Sequence, residues 1–166
     1  MTAVMTPTGQ ATAEQVKGRQ LGGKYLTFFL EKEEYGLMIL KVQEIIGVIP
    51  ITPVPRVPDF ILGIINLRGK VVPVMDLRIR FGMPQREATQ ETCIIVVQSA
   101  GTQMGVLVDR VSEVLDIADG DIEETPDFAT AVNTDFLLGI GKAGSGVKLL
   151  LDIDHVLERE DADAMR

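Results

Sequence analysis

The sequence predicts an all-β protein made of two small, pseudo-symmetric β-barrels packed on each other, with short helices including one at the C-terminus. Three observations carry this expectation. The first is an internal repeat: Asp59-Phe60-Ile61-Leu62-Gly63-Ile64 returns as Asp135-Phe136-Leu137-Leu138-Gly139-Ile140, with five of six positions identical at an offset of 76. The same offset pairs Val74-Met75-Asp76-Leu77 with Leu150-Leu151-Asp152-Ile153. Upstream, an offset of 69 pairs Gly36-Leu37-Met38-Ile39 with Gly105-Val106-Leu107-Val108, and Glu44-Ile45-Ile46 with Glu113-Val114-Leu115. Blocks repeated in the same order describe two copies of one structural unit. The second observation is a series of short apolar runs separated by Gly and Pro turns, the signature of antiparallel strands. The third is size. Each copy, at about 65–70 residues, is too small to bury a large core alone, so the copies must pack together.

The elements follow in order. Lys24 to Leu30 is aromatic and apolar, as a strand should be, and Glu34 to Ile39 returns after a charged tip at Lys32-Glu33. Lys41 to Ile45 reads as a short helical turn and Ile46 to Pro50 as a strand. Pro53, Pro55 and Pro58 then impose an extended connector. Gly63 to Leu67 and Lys70 to Met75 flank Arg68-Gly69, a hairpin in which Gly69 suits a positive-φ turn position. Asp76 can cap a helix from Leu77 to Phe81 that Gly82 closes. The second copy repeats the plan. Thr92 to Gln98 and Gln103 to Val108 form a hairpin, and Ser112 to Ile117 a strand. An acidic connector follows, then Phe136 to Ile140 and Val147 to Leu151, and a closing helix near Ile153 to Arg159 capped by Asp152 or Asp154. The division expected is a disordered tail over 1–23, a first barrel over 24–88, a second barrel with its helix over 89–160, and a disordered tail over 161–166.

Composition narrows the function. The net charge of −8 and pI near 4.7 argue against nucleic acid and against anionic lipid. A mean hydropathy of +0.20 is high for a soluble chain, yet no apolar run reaches the roughly 18–20 residues of a membrane span. The surplus points to a strand-rich core or to an exposed docking surface. Cys93 is the sole cysteine, so no intrachain disulfide forms, which suits a reducing compartment. The N-terminal segment carries no basic-then-apolar signal pattern.

Motifs with chemistry are few. Gly139-Ile140-Gly141-Lys142-Ala143-Gly144 matches G-x-G-x-x-G, but a strand-like run, Val147 to Leu151, follows it where a dinucleotide loop needs a helix. It reads as a glycine-rich hairpin tip. The acidic run Asp116, Asp119, Asp121, Glu123 and Glu124 places Ala118 and Gly120 where a calcium loop needs oxygen ligands, so it reads as a solvated loop. His155 is the sole histidine, and nucleophile–base catalysis finds no marked pair. No metal ligands, cofactor or catalytic residues are assigned. Arg68 is the exception: a guanidinium at a rigid hairpin tip beside apolar residues can anchor a partner, and the second copy lacks it. An ordinary exposed turn arginine is the competing explanation.

At these residues the chain resembles the CheW family of chemotaxis coupling proteins. The likeness rests on Glu33-Glu34-Tyr35-Gly36 with Ile39-Leu40-Lys41-Val42-Gln43-Glu44-Ile45, and on Gly63-Ile64-Ile65-Asn66-Leu67-Arg68-Gly69-Lys70-Val71-Val72-Pro73-Val74-Met75-Asp76-Leu77-Arg78. Gly105-Val106-Leu107-Val108-Asp109-Arg110-Val111 extends it into the second copy. It covers roughly residues 24–160 and is looser after residue 116. The resemblance implies two five-stranded, Src-homology-3-like barrels and no enzymatic activity. It implies a cytoplasmic adaptor at membrane-associated receptor arrays, joining the tips of transmembrane chemoreceptors to the regulatory domain of the histidine kinase CheA. Receptor contact is implied at Arg68, with Gly63, Ile65, Asn66 and Leu67 around it. Kinase contact is implied at Ile39, Val42, Glu44 and Val114, with Phe128 in the connector expected to be partly exposed. The alternatives are a kinase regulatory module, a small-ligand-binding β-barrel, or an acid/base hydrolase. Convergent carboxylates in an apolar pocket would favour the last two, and an open, polar-rimmed apolar groove the adaptor.

Overall fold

The computed structural model describes residues 21–99, 101–124, 136–144 and 146–158. Eleven strands lie among them: β1 (Gly23–Leu30), β2 (Glu33–Met38), β3 (Val42–Gly47), β4 (Ile61–Leu67), β5 (Lys70–Asp76), β6 (Cys93–Ser99), β7 (Thr102–Val108), β8 (Arg110–Ile117), β9 (Ile122–Glu123), β10 (Leu137–Ala143) and β11 (Gly146–Leu151). Short helices at Leu77–Arg80 and Ile153–Val156 follow β5 and β11, and single 3-10 turns occupy Ile39–Lys41 and Asp119–Asp121. The turn after β2 is shorter than the sequence suggested, and the next strand already begins at Val42. Gly23 opens β1 rather than closing a tail. Gly22 N–H donates to Asp119 Oδ1 at 2.5 Å and the Tyr25 hydroxyl donates to the Leu21 carbonyl at 2.5 Å, which ties this end down. The rest of the expected tails, residues 1–20 and 161–166, lies outside the described residues.

The strands form two sheets that exchange hairpins. One runs β8-β1-β2-β11-β10-β9, the other β3-β6-β7-β5-β4. The division at residues 88 and 89 therefore separates repeats, not sheets. The β1–β2 hairpin of the first repeat completes the sheet of the second, and β6–β7 completes the sheet of the first. The expectation of one barrel per half is corrected accordingly. The physical reason is that each repeat's last strand finds its parallel neighbour in a hairpin: β11 against β2 and β5 against β7. The fold remains all-β, two Src-homology-3-like barrels with few short helices.

The pseudo-symmetry extends to individual pairs. A bulge between Ile61 and Gly63 opposite Met75 and Val74 recurs between Leu137 and Gly139 opposite Leu151 and Leu150. Val74 pairs with Gly105 as Leu150 pairs with Gly36. The Asp76 N–H donates to the Phe60 carbonyl at 2.7 Å, and the Asp152 N–H to Phe136 at 2.7 Å. Both aspartates then cap the following helix, Asp76 on Arg78 N–H and Asp152 on His155 N–H.

One core spans both sheets. Phe28, Leu37, Met75, Leu77, Ile95, Val106, Leu151 and Val156 are buried in it, together with a run of ring contacts, Phe28–Tyr35–Phe81–Phe136, at 5.7, 5.8 and 5.4 Å. Where the repeats meet, the Arg80 guanidinium lies between the pseudo-equivalent rings of Phe60 and Phe136, 4.5 and 4.7 Å from their centroids. Its Nε donates to the Val156 carbonyl at 2.9 Å. Beside it, buried Arg78 donates to Asp109 and Glu31, both at 2.7 Å, and Arg86 also reaches Asp109 at 2.9 Å. Glu31 belongs to one sheet's hairpin, whereas the Arg78 helix follows a strand of the other, so this cluster fastens the two barrels.

Candidate functional site

The hairpin between β4 and β5 turns at Arg68 (φ 52°) and Gly69 (φ 86°), both left-handed. Two consecutive positive-φ residues make the mirror-image turn that matches strand twist, at a steric cost for arginine. Asn66 offsets part of it, since its Oδ1 accepts from Gly69 N–H at 2.7 Å. The Arg68 side chain is 69% exposed, and its Nη2 forms an ion pair with Glu44 Oε2 on β3. In the second repeat Gly144 stands at the Arg68 position, and the cation there is Lys142, 2.8 Å from Glu123.

Side-chain alternation along β4 divides the residues expected at this site. Ile65 and Leu67 point inward and are buried with Val72, Val74, Ile94 and Val96. Gly63 is buried at φ +149°, and a Cβ there would collide with the Thr52 carbonyl. These three are corrected from surface to core: the bulge at Gly63 sets the register in which 63, 65 and 67 face the interior. Asn66 and Arg68 are exposed, as expected. The outward apolar surface beside them is Val71, paired opposite Asn66, with half-buried Ile64.

The segment implied for kinase contact divides in the same way. Ile39 and Val42 are half-buried and pack on the main core, while Glu44 is half-buried and engaged by Arg68. Between them Leu40 is 90% exposed. A 3-10 turn has three residues per turn, so Ile39 and Val42 share the inward face and Leu40 is driven out. Sequence reasoning quoted Leu40 without singling it out, and the i, i+3 apolar spacing was the available signal. Ile45 on β3 is also exposed, and its pseudo-equivalent Val114 on β8 is exposed as expected. Phe128 lies outside the described residues. Arg68 and Glu44, expected at separate contacts, are thus joined. Leu40 and Ile45 on the one segment, and Val71 on the other, are exposed.

A family described as "CheW-like domain" matches residues 24–161. The chain belongs to the CheW family. Chemotaxis protein CheW of Klebsiella aerogenes is 39% identical over 153 residues, covering 92% of each chain. The Rhizobium meliloti protein of the same name is 37% identical and covers 86% of this chain and 92% of its own. Among solved structures, the scaffolding protein TtCheW from Thermoanaerobacter tengcongensis superposes with a TM-score of 0.77 at 38% identity, covering 83% of this chain and 94% of that one. The chain is accordingly a chemotaxis adaptor, a scaffold and not an enzyme. Among the described residues no helix is long and apolar enough to cross a membrane.

Proposed function

We propose that the chain couples the cytoplasmic tips of chemoreceptors to the regulatory domain of the kinase CheA, at membrane-associated receptor arrays. The observation that carries the reading is the Arg68–Glu44 pair: the two contacts implied by family resemblance meet at one ion pair on one barrel. A receptor helix competing for the Arg68 guanidinium would release Glu44, which lies on the strand that follows the Leu40 turn. Receptor binding would then be felt at the kinase contact through differential contacts in two states. In the second repeat Gly144 replaces the arginine, and the cation at that hairpin, Lys142, pairs instead with Glu123.

The test is reconstitution of the full chain with a purified receptor signalling fragment and CheA. The chain should co-sediment with each partner and make kinase activity receptor-dependent. Failure to bind either partner, with the chain folded, would overturn the reading.

A further inference from the structure

The two repeats place matching corners between their second and third strands, and the corners are fastened with opposite polarity. In the second repeat the corner residue is Asp109. It turns inward and is held by Arg78, the second residue of the Leu77–Arg80 helix. The position equivalent to Asp109 in the first repeat is Leu40, which projects into solvent. The position equivalent to Arg78 is Asp154, likewise the second residue of its helix. Asp154 cannot hold a leucine, and it holds the next residue instead: Lys41 Nζ lies 3.2 and 3.4 Å from its two carboxylate oxygens. Ser99 Oγ, at the end of β6, also donates to Asp154 Oδ1, which fixes the carboxylate. On the other side of the corner Gln43 donates to Gln98 Oε1 at 2.6 Å and accepts from Gln103 Nε2. The residue equivalent to Lys41, Arg110, is engaged differently. It lies over the ring of Phe29, its pairing partner on the neighbouring strand, 3.9 Å from the centroid.

We propose that Asp154 is a positioning residue for kinase docking: through Lys41 it holds the Ile39–Lys41 turn so that Leu40 is presented to the kinase regulatory domain. This rests on the functional reading above and deepens it. An exposed leucine on a three-residue turn loses binding strength if the turn samples many orientations, because ordering it on contact is unfavourable. A tether from the other end of the chain, 113 residues away in sequence, removes that freedom beforehand. The tether also ties the docking turn to the helix that follows β11, so the turn's orientation depends on how the second repeat sits against the first.

The test titrates the full chain with the CheA regulatory domain and, separately, with a receptor fragment, and follows amide exchange at residues 39–43. D154K, which turns attraction into repulsion, should weaken kinase binding about tenfold, speed exchange at Leu40 and Lys41, and leave receptor affinity and Tm nearly unchanged. D154N should show a weaker effect of the same sign, and D154E should bind as the native chain does. L40D is the control for the docking turn and should lose most kinase affinity. If L40D binds poorly while D154K binds as tightly as the native chain, the positioning role is wrong. If L40D itself binds normally, the docking turn is wrong and the role of Asp154 falls with it.

Discussion

Arg68 at the tip of the β4–β5 hairpin is ion-paired to Glu44 on β3, the strand at the opposite edge of the same sheet. The pair spans the seam at which the sheet curls upon itself. It is largely exposed, so its contribution to folding is small, about 0–1 kcal/mol. Its value to a partner is different, because the guanidinium presents several donors on a rigid turn. Arg68→Ala should therefore weaken receptor binding about tenfold, near the 2 kcal/mol typical of a lost anchor, with Tm almost unchanged. Glu44→Gln, which removes the arginine's competing partner, should leave receptor binding at least as tight as that of the native chain. Calorimetric titration against a receptor fragment separates these outcomes, and equal receptor affinity for Arg68→Ala would remove Arg68 from the site.

Gly63 is required by architecture rather than by contact with a partner. Its φ of +149° and the approach of the Thr52 carbonyl leave no room for a methyl group. Gly63→Ala should destabilise the fold by about 2 kcal/mol or more. Gly69→Ala, with positive φ but open space around it, should cost only about 1 kcal/mol. Urea unfolding of the two variants gives the comparison, and equal costs would contradict it.

The buried Arg78 cluster contributes differently from its exposed counterpart at Asp154. Arg78→Ala leaves Asp109 to Arg86 and the Glu31 N–H, and the Glu31 carboxylate without its closest cation. The expected loss is about 3 kcal/mol, at the lower end for a broken buried pair because Arg86 stays in place. Thermal unfolding would show it as a single lowered transition, since the cluster joins both barrels. Two separated transitions would mean that the barrels melt independently.

Burial, and secondarily Asp119, pushes the Tyr25 hydroxyl from 10.0 up to about 12. The folded state therefore holds this proton more tightly than the unfolded chain does. The resulting stabilisation is complete below pH 10 and is lost as pH rises from about 10 to 12. Tyr25→Phe should flatten that alkaline decline, measured by denaturation at stepped pH, while losing the bond to the Leu21 carbonyl at neutral pH. A residual slope is expected from Tyr35, raised chiefly by its own burial. An unchanged alkaline decline in Tyr25→Phe would assign the effect elsewhere.

Much of this is legible in the sequence. Repetition at offsets of 76 and 69 identified equivalent residues down to the bulges at Gly63 and Gly139 and the caps at Asp76 and Asp152. The exchange of hairpins was not legible, because a repeat records which residues are equivalent and not which copy they pair with. Tyr25 to Leu30 shows the same alternation whether it lies beside β3 or, as it does, beside β8. Arg68 was readable because Arg-Gly between two apolar runs marks a tip. Ile65 and Leu67 were misplaced because a one-residue bulge decides which face of β4 is inward. Leu40 was missed because its exposure depends on a 3-10 turn at Ile39–Lys41, whereas the sequence pattern puts the turn two residues later, over Lys41 to Ile45.

Hairpin exchange has a consequence for how the chain is made. As residues leave the ribosome in order, the first repeat cannot close its sheet when Asp76 emerges, since the neighbours of β3 and β5 are β6 and β7, ending at Val108. The β1–β2 hairpin waits longer still, until β11 is complete at Leu151. During that interval the outer edge of β2 stays unpaired, and such uncovered strands invite association between nascent chains. Pairings so distant in sequence also slow the search for the native state. A cell producing this protein rapidly should therefore depend on factors that shield short apolar strands until synthesis is nearly finished.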